Sequence, residues 1–224
     1  FFSSRTEYSC RMARVAKPNR RRPEQERSTQ TVADILDAAT LVLKQVGIEQ
    51  TTTDRIAARA GLSVGSLYQY FPNKVALYEA LMQRHFEQVT NTALGHAQRL
   101  HDASTHEFPA LLGQLVLNQE RKDPQFSALL HRLAAIHESV GIIEIENSLL
   151  LERSIATLLR EKSTTPGFRS DMDADVVGRV LTRALTGILR RTMQIDPSFI
   201  ETEALALELQ RLIGAYVLAP VPQT

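Results

Sequence analysis

The sequence predicts an all-α protein, with an N-terminal three-helix domain built on a helix-turn-helix and a larger helical domain behind it, about nine helices in total. Three observations carry that expectation. Apolar residues recur at intervals of three and four along most of the chain, the spacing that lines one face of a helix. Hydrophobic residues make up 43% of the 224 positions but aromatics only 6%, with no Trp, so packing falls to Leu, Ala, Ile and Val. Finally, two short helical patterns within residues 51–74 are separated by a turn at Gly61.

Residues 1–27 read as a basic arm without a fold of its own, carrying Arg5, Arg11, Arg14, Lys17, Arg20, Arg21, Arg22 and Arg27 between Pro18 and Pro23. Residues 17–22 suit either an arm that tracks phosphates or enters a minor groove, or a solvated tail. Met12-Ala13-Arg14 reads as a natural start, so part or all of residues 1–11 is expected to be an upstream extension. No signal peptide is legible there, because the apolar residues are few and Arg5 and Glu7 interrupt them.

A DNA-binding domain is placed at residues 28–75. Ser28 or Thr29 caps its first helix, expected over 28–46, where Val32, Ile35, Leu36, Ala39, Leu43 and Val46 form a stripe that Gly47 ends. In the next helix, capped by Thr52 or Thr53, Ile56, Ala57 and Ala60 form an apolar face of mostly small residues that admits another helix closely. Gly61 suits the left-handed conformation that stops a helix. Ser63 is a second N-cap, and residues 64–70 make one more short helix before Pro72. Two helices joined by a short Gly-containing turn form a helix-turn-helix, whose second helix can lie in the DNA major groove. The same pattern also fits a merely packed hairpin.

Leu67 and Phe71, four apart, face inward and leave Val64, Gly65, Ser66, Tyr68, Gln69 and Tyr70 free or partly free. Small and polar groups suit base edges, and tyrosine hydroxyls suit phosphate oxygens. Lys74 opens the next helix, where the macrodipole disfavours a cation, a hint that it answers to something outside the protein.

Residues 76–224 form the helical body. A long amphipathic helix runs from residue 73 to about 94 or further through Ala76, Leu77, Ala80, Leu81, His85, Phe86 and Val89. Helices follow over 108–121, after Pro124, from Gly141 to about Lys162, and over 171–193 and 198–218, with a loop at 163–170. Asp171, Asp173 and Asp175 suit a helix N-terminus and Arg190 and Arg191 its end.

Several function classes find no support. There is no phosphate-cradling Gly-rich loop, G-x-S-x-G, C-x-x-C or H-E-x-x-H. His96, His101 and His106 recur every five residues and His131 and His137 are six apart, spacings that put no metal site on one helical face. The reading is no enzyme, no cofactor and no metal. No apolar run approaches the ~18 residues of a membrane span. A lone cysteine, Cys10, forms no internal disulfide and fits a reducing cytoplasm. Charge is uneven: residues 1–74 hold twelve Lys/Arg against seven Asp/Glu, and residues 75–224 fourteen against eighteen. A basic N-terminal third beside an acidic remainder suits a nucleic-acid module on a body that does not bind nucleic acid.

The pattern T-T-x-x-I-A-x-x-A-G-L-S-x-G-S-L-Y-x-Y-F-x-x-K over residues 52–74, preceded by I-L-D-A-A-x-L over 35–41, resembles the DNA-binding domain of the TetR family of transcriptional regulators. The likeness runs from about residue 31 to 81. It implies a cytoplasmic homodimer binding double-stranded DNA at a palindromic operator, most often as a repressor. Thr53, Arg55, Ser63, Val64, Gly65, Ser66 and Gln69 would meet phosphates or base edges, and Tyr68, Tyr70 and Lys74 would hold the backbone. By the same resemblance the last two helices, about 171–193 and 198–218, pair with those of a second subunit, and the long helix is a lever moved by an unknown small-molecule effector. Their apolar faces also fit intramolecular core. Phe86, Phe108, Phe126, Leu130, His137 and Arg183 are candidates to line a pocket in the body. A scaffold of the same fold that recruits a protein partner and takes no effector is the alternative.

Overall fold

The computed structural model describes residues 21–219, so Cys10, residues 17–20, Pro220 and Pro222 lie outside the described residues. The described residues form nine α-helices: α1 Arg21–Gln50, α2 Thr53–Ala60, α3 Val64–Tyr70, α4 Lys74–Asp102, α5 Phe108–Arg121, α6 Pro124–Ile136, α7 Glu138–Lys162, α8 Ala174–Ile195 and α9 Glu203–Val217. A 3-10 turn, Pro197–Glu201, joins the last two. The all-α expectation holds; the one extended pairing among these residues is an isolated bridge between Phe168 and Leu218.

Side-chain caps set most helix starts, each satisfying an amide that the helix itself cannot. Asn73 accepts from the Ala76 N–H at 2.8 Å, and Asp123, ahead of Pro124, from the Phe126 N–H at 3.1 Å. Asp173 serves Asp175 and Val176 at 3.0 and 3.2 Å, and Thr202 serves Leu205 at 3.3 Å. Ser104 and Glu107 cap reciprocally before α5.

Two glycines that read as helix ends do other work. Gly47 has φ 76° and kinks α1, which then completes a last turn to Gln50. The same helix begins at Arg21, ahead of the expected Ser28, with Pro23 in the first turn where no amide donor is required. Gly141 lies inside α7, where a Cβ would stand 2.8 Å from the Ala134 carbonyl oxygen. His137 alone separates α6 from α7, and the bare glycine lets the two helices turn back on each other.

The helices enclose two apolar cores. The first joins Ile35, Ala39 and Leu43 of α1, Ile56 and Ala57 of α2, Leu67 of α3 and Leu77 and Leu81 of α4 to Leu129, Leu130 and Leu133 of α6. The N-terminal domain therefore shares its core with a helix of the body. The second core joins Phe108 and Leu112 of α5, Ile155 and Leu159 of α7, five residues of α8 from Val177 to Met193, and Leu205, Leu209, Ile213 and Val217 of α9.

The last two helices, expected at 171–193 and 198–218 as the surface for a second subunit, touch each other little within the chain. α8 lies along α7, and α9 lies along α5. The apolar stripe of α9 is used up in its own chain, since Leu205, Leu209, Ile213 and Val217 are all buried. α7 and α8 cross closely at Gly178, where a Cβ would stand 2.9 Å from both the Cα and the N of Ala156. Backbone cannot give way there as a flexible side chain would. Gly178→Ala should cost about 1–3 kcal/mol of stability. Gly95→Ala, at an open position within α4, should gain up to about 1 kcal/mol. Urea unfolding of the two variants checks the contrast.

Candidate nucleic-acid interface

Three local devices set the angle between α2 and α3. The Thr52 hydroxyl accepts from the Arg55 N–H at 3.2 Å and caps α2. Gly61, at φ 69°, turns the chain through the left-handed region, and the Leu62 N–H returns to the Ala57 carbonyl at 2.9 Å. This is the 6→1 bond of a Schellman stop. Ser63 then caps α3 by accepting from the Ser66 N–H at 3.0 Å, and its hydroxyl also meets that of Ser66 at 2.8 Å. Leu67 and Phe71 anchor α3 in the first core, as their spacing requires.

Burying Leu67 decides which side of α3 is outward. Ser63, Gly65, Tyr68 and Gln69 are exposed, while Val64, Ser66 and Tyr70 are half-buried. A Cβ on Gly65 would meet only the Ser63 hydroxyl, at 3.8 Å. Nothing inside the protein therefore requires glycine there; its bareness is turned outward, on the side from which another molecule would approach. From α2, Thr53 lies 3.3 Å from the Tyr68 hydroxyl, oxygen to oxygen, so the two present one patch. Arg55 is exposed, and its guanidinium donates to the Gln50 carbonyl at 3.1 Å.

Lys74 is tied back into the fold. Its ammonium donates to the Thr51 carbonyl at 3.2 Å and sits 5.8 Å from the centre of the Tyr78 ring. This partner offsets the unfavourable helix start, a reason for lysine that the sequence pattern did not reveal. Two of its three donors remain for an outside acceptor.

The candidate pocket residues do not converge. Phe108 is buried in the second core with its ring 5.3 Å from that of Phe168. Leu130 is buried in the first core, against which Phe86 packs. His137 lies against the Tyr78 ring at 5.5 Å. Arg183 is exposed and donates to Glu152 at 2.7 Å. Phe126 alone among them lines a cavity, a recess of about 190 Å³ between α1, α4, α5 and α6.

A short outward helix seated by a Gly turn on a three-helix core defines a helix-turn-helix DNA-binding domain of the bacterial regulator class. Residues 35–81 match the family model for bacterial regulatory proteins of the tetR family. The match lies within the N-terminal domain, and the chain as a whole has a TetR-like fold. The nucleoid occlusion factor SlmA of Vibrio cholerae is 26% identical over 195 residues, covering 85% of this chain and 92% of that protein. A TetR transcription regulator from Haloarcula marismortui superposes with a TM-score of 0.70 at 18% identity, over 85% of this chain and all of that one. SmeT, the repressor of the Stenotrophomonas maltophilia multidrug efflux pump SmeDEF, superposes at 0.65 with 19% identity, over 86% and 94%. Those two likenesses concern the fold.

Between α5, α6 and α7 lies a part-buried charge cluster that helical spacing did not disclose, because its members come from different helices. His131 of α6 stands between Glu120 of α5, 3.8 Å from its Nε2, and Glu144 of α7, 2.8 Å from its Nδ1. Ser127 donates to Glu120, and Arg190 of α8 approaches Glu144 at 3.8 Å. Burial pushes the His131 imidazolium down, but the two carboxylates outweigh it and lift its pKa to about 9. A histidine whose pKa is raised on folding contributes stability in full below its unfolded value of 6.5, and that contribution is lost as pH rises through about 9. Melting temperature followed between those limits should fall more steeply for the natural chain than for His131→Gln. Parallel curves would show that His131 is not charged in the fold.

Proposed function

We propose that the protein is a homodimeric, sequence-specific DNA-binding transcriptional regulator of the cytoplasm, a repressor released from a palindromic operator by a small-molecule effector. The outward glycine of α3 carries the DNA reading. In this reading α3 enters the major groove with Gly65 against the DNA, where any side chain would hold the helix away. Gln69 offers an amide that can pair bidentately with adenine. Ser63, Val64 and Ser66 lie near base edges, while Thr53, Arg55, Tyr68, Tyr70 and Lys74 engage phosphates.

A twofold operator needs a twofold protein. The face that suits it lies on α7 and α8: Ile142, Ile145 and Leu149 follow one another at helical spacing on α7 and are 49%, 60% and 40% exposed. Val176 and Val180 on α8 are about half exposed as well. Two such helix pairs brought face to face form a four-helix bundle. The resemblance of SmeT, a repressor, to this fold supports the repressor reading. A second reading, a DNA-bound factor acting through a protein partner without an effector, is supported by the likeness to SlmA over most of both chains.

Selection of bound duplexes from a random pool at fixed salt should enrich a palindrome; enrichment of nothing would overturn the sequence-specific reading. Gly65→Ala should leave folding intact and stability equal or higher, yet weaken the selected duplex by about tenfold or more, a loss of ~1.4 kcal/mol. Equal affinity would remove Gly65 from the interface. Ile145→Glu should give a monomer by light scattering, whereas Leu212→Glu on α9 should stay dimeric. The reverse result would return the interface to the last two helices.

A further inference from the structure

The cavity where α1, α4, α5 and α6 meet has a lining whose open hydrogen-bonding groups are mainly donors. Lys122 stands there with its ammonium 3.1 Å from the Thr92 hydroxyl and 3.3 Å from Gln119 Oε1. That contact occupies the Gln119 carbonyl, while Gln119 Nε2 is buried with no acceptor. His85 is half-buried in the lining and makes only a ring contact with Phe86. Burial pushes its imidazolium pKa down, against Glu120, which raises it, so a neutral ring presents one N–H.

Apart from the exposed Gln88 and the unprotonated ring nitrogen of His85, the acceptors of the lining are already engaged. Asp123 receives the Lys44 ammonium at 2.8 and 3.0 Å and the Phe126 N–H at 3.1 Å. The Thr40 hydroxyl donates to the Leu36 carbonyl and accepts from Arg84, and Ser127 donates to Glu120. A buried N–H without an acceptor is costly, and this one stands beside a cation. The group that answers both is acceptor-only and negatively charged, which describes a carboxylate. Phe126 and Val89 add an apolar wall. The volume of about 190 Å³ equals roughly six waters at ~30 Å³ each, enough for a compact organic acid.

We propose that this cavity binds a small carboxylate with a short apolar body, its charge beside Lys122 and its oxygens within reach of Gln119 Nε2 and His85, and that occupancy weakens DNA binding. The regulatory half rests on the DNA-binding reading above. The walls explain the coupling. Thr40 and Lys44 belong to the helix that supports the helix-turn-helix, and the Lys44–Asp123 pair and the Gln125 bond to the Lys44 carbonyl fasten that helix to α6. A ligand wedged there favours one placement of α1 and α6, which are fastened together, against α4 and α5, and by reciprocity a duplex that selects another placement must bind the liganded dimer more weakly.

The test uses the full chain with benzoate and pentanoate as probes and benzamide as the neutral match of benzoate. Calorimetry without DNA should show both carboxylates binding at millimolar concentration or tighter, with benzamide at least about tenfold weaker. Lys122→Met should weaken both carboxylates at least about tenfold with an unchanged melting temperature. Gln119→Leu should raise the melting temperature of the free protein while weakening the same two probes, a pair of opposite signs that a purely structural Gln119 would not give. Benzamide binding as well as benzoate, indifference to Lys122→Met, or no heat with either carboxylate would each overturn the site. Carboxylate binding that leaves duplex affinity unchanged would overturn the regulatory half. A chain that binds no specific duplex would overturn the DNA reading, while calorimetry would still report on the cavity.

Discussion

The structure depends on one apolar seam. Leu129, Leu130 and Leu133 of α6 are buried in the same core as Ile35, Leu43, Ile56 and Leu67 of the helix-turn-helix domain. A three-helix domain this small has little core of its own, and stability falls as fewer residues can be buried. Borrowing a face of α6 removes that deficit. It also means that the domain cannot change its relation to α6 without exposing leucines, at about 1.5–3 kcal/mol for each one fully uncovered.

Around the seam lies a ring of polar ties, and their magnitudes assign them a different role. Lys44 meets Asp123 with the two side chains 31% and 38% exposed. Arg84 reaches the exposed Asp37, and Arg132 reaches Glu49 with both side chains exposed. Partly exposed pairs of this kind contribute roughly 0.2–1 kcal/mol each, less than a single buried leucine of the seam. Their directional geometry, however, sets the angle at which α1 leaves α6, which burial alone does not specify. The leucines hold the domain on; the ion pairs aim it.

The legible part of the molecule was the part written in local rules. Caps at Thr52 and Ser63, the Gly61 stop and the inward pair Leu67 and Phe71 are all short-range devices, and the structure carries each one. What escaped was decided by contacts between distant segments. Gly47 and Gly141 look like helix ends because glycine is poor in helices, yet one permits a kink and the other the close approach of the Ala134 carbonyl. Lys74 has its acceptor at Thr51, 23 positions earlier. The partner of α8 is α7 rather than α9, because Phe108, Leu112 and Leu117 of α5 supply the surface that buries the stripe of α9. His131 gave no sequence signal, since Glu120 and Glu144 come from neighbouring helices and only the fold brings them within reach.

These features make α6 as strong a candidate as α4 for transmitting change to the interface. α4 is continuous from Lys74 to Asp102 and touches both cores, through Leu77 and Leu81 at one end and Leu100 at the other. A helix of that length moves as a rod, and tilting it disturbs both cores at once. α6 is shorter, is bounded by Lys122 and Asp123 on one side and by His137 on the other, and gives its leucines to the N-terminal core. Its attachments to the rest of the body include polar ones: His131 to Glu120 of α5 and to Glu144 of α7. Polar contacts can exchange partners for water or a ligand at small net cost, whereas the leucine face cannot. A change at the polar side of α6 therefore costs least when α6 and the helix-turn-helix domain shift as one body, carrying α3 with them.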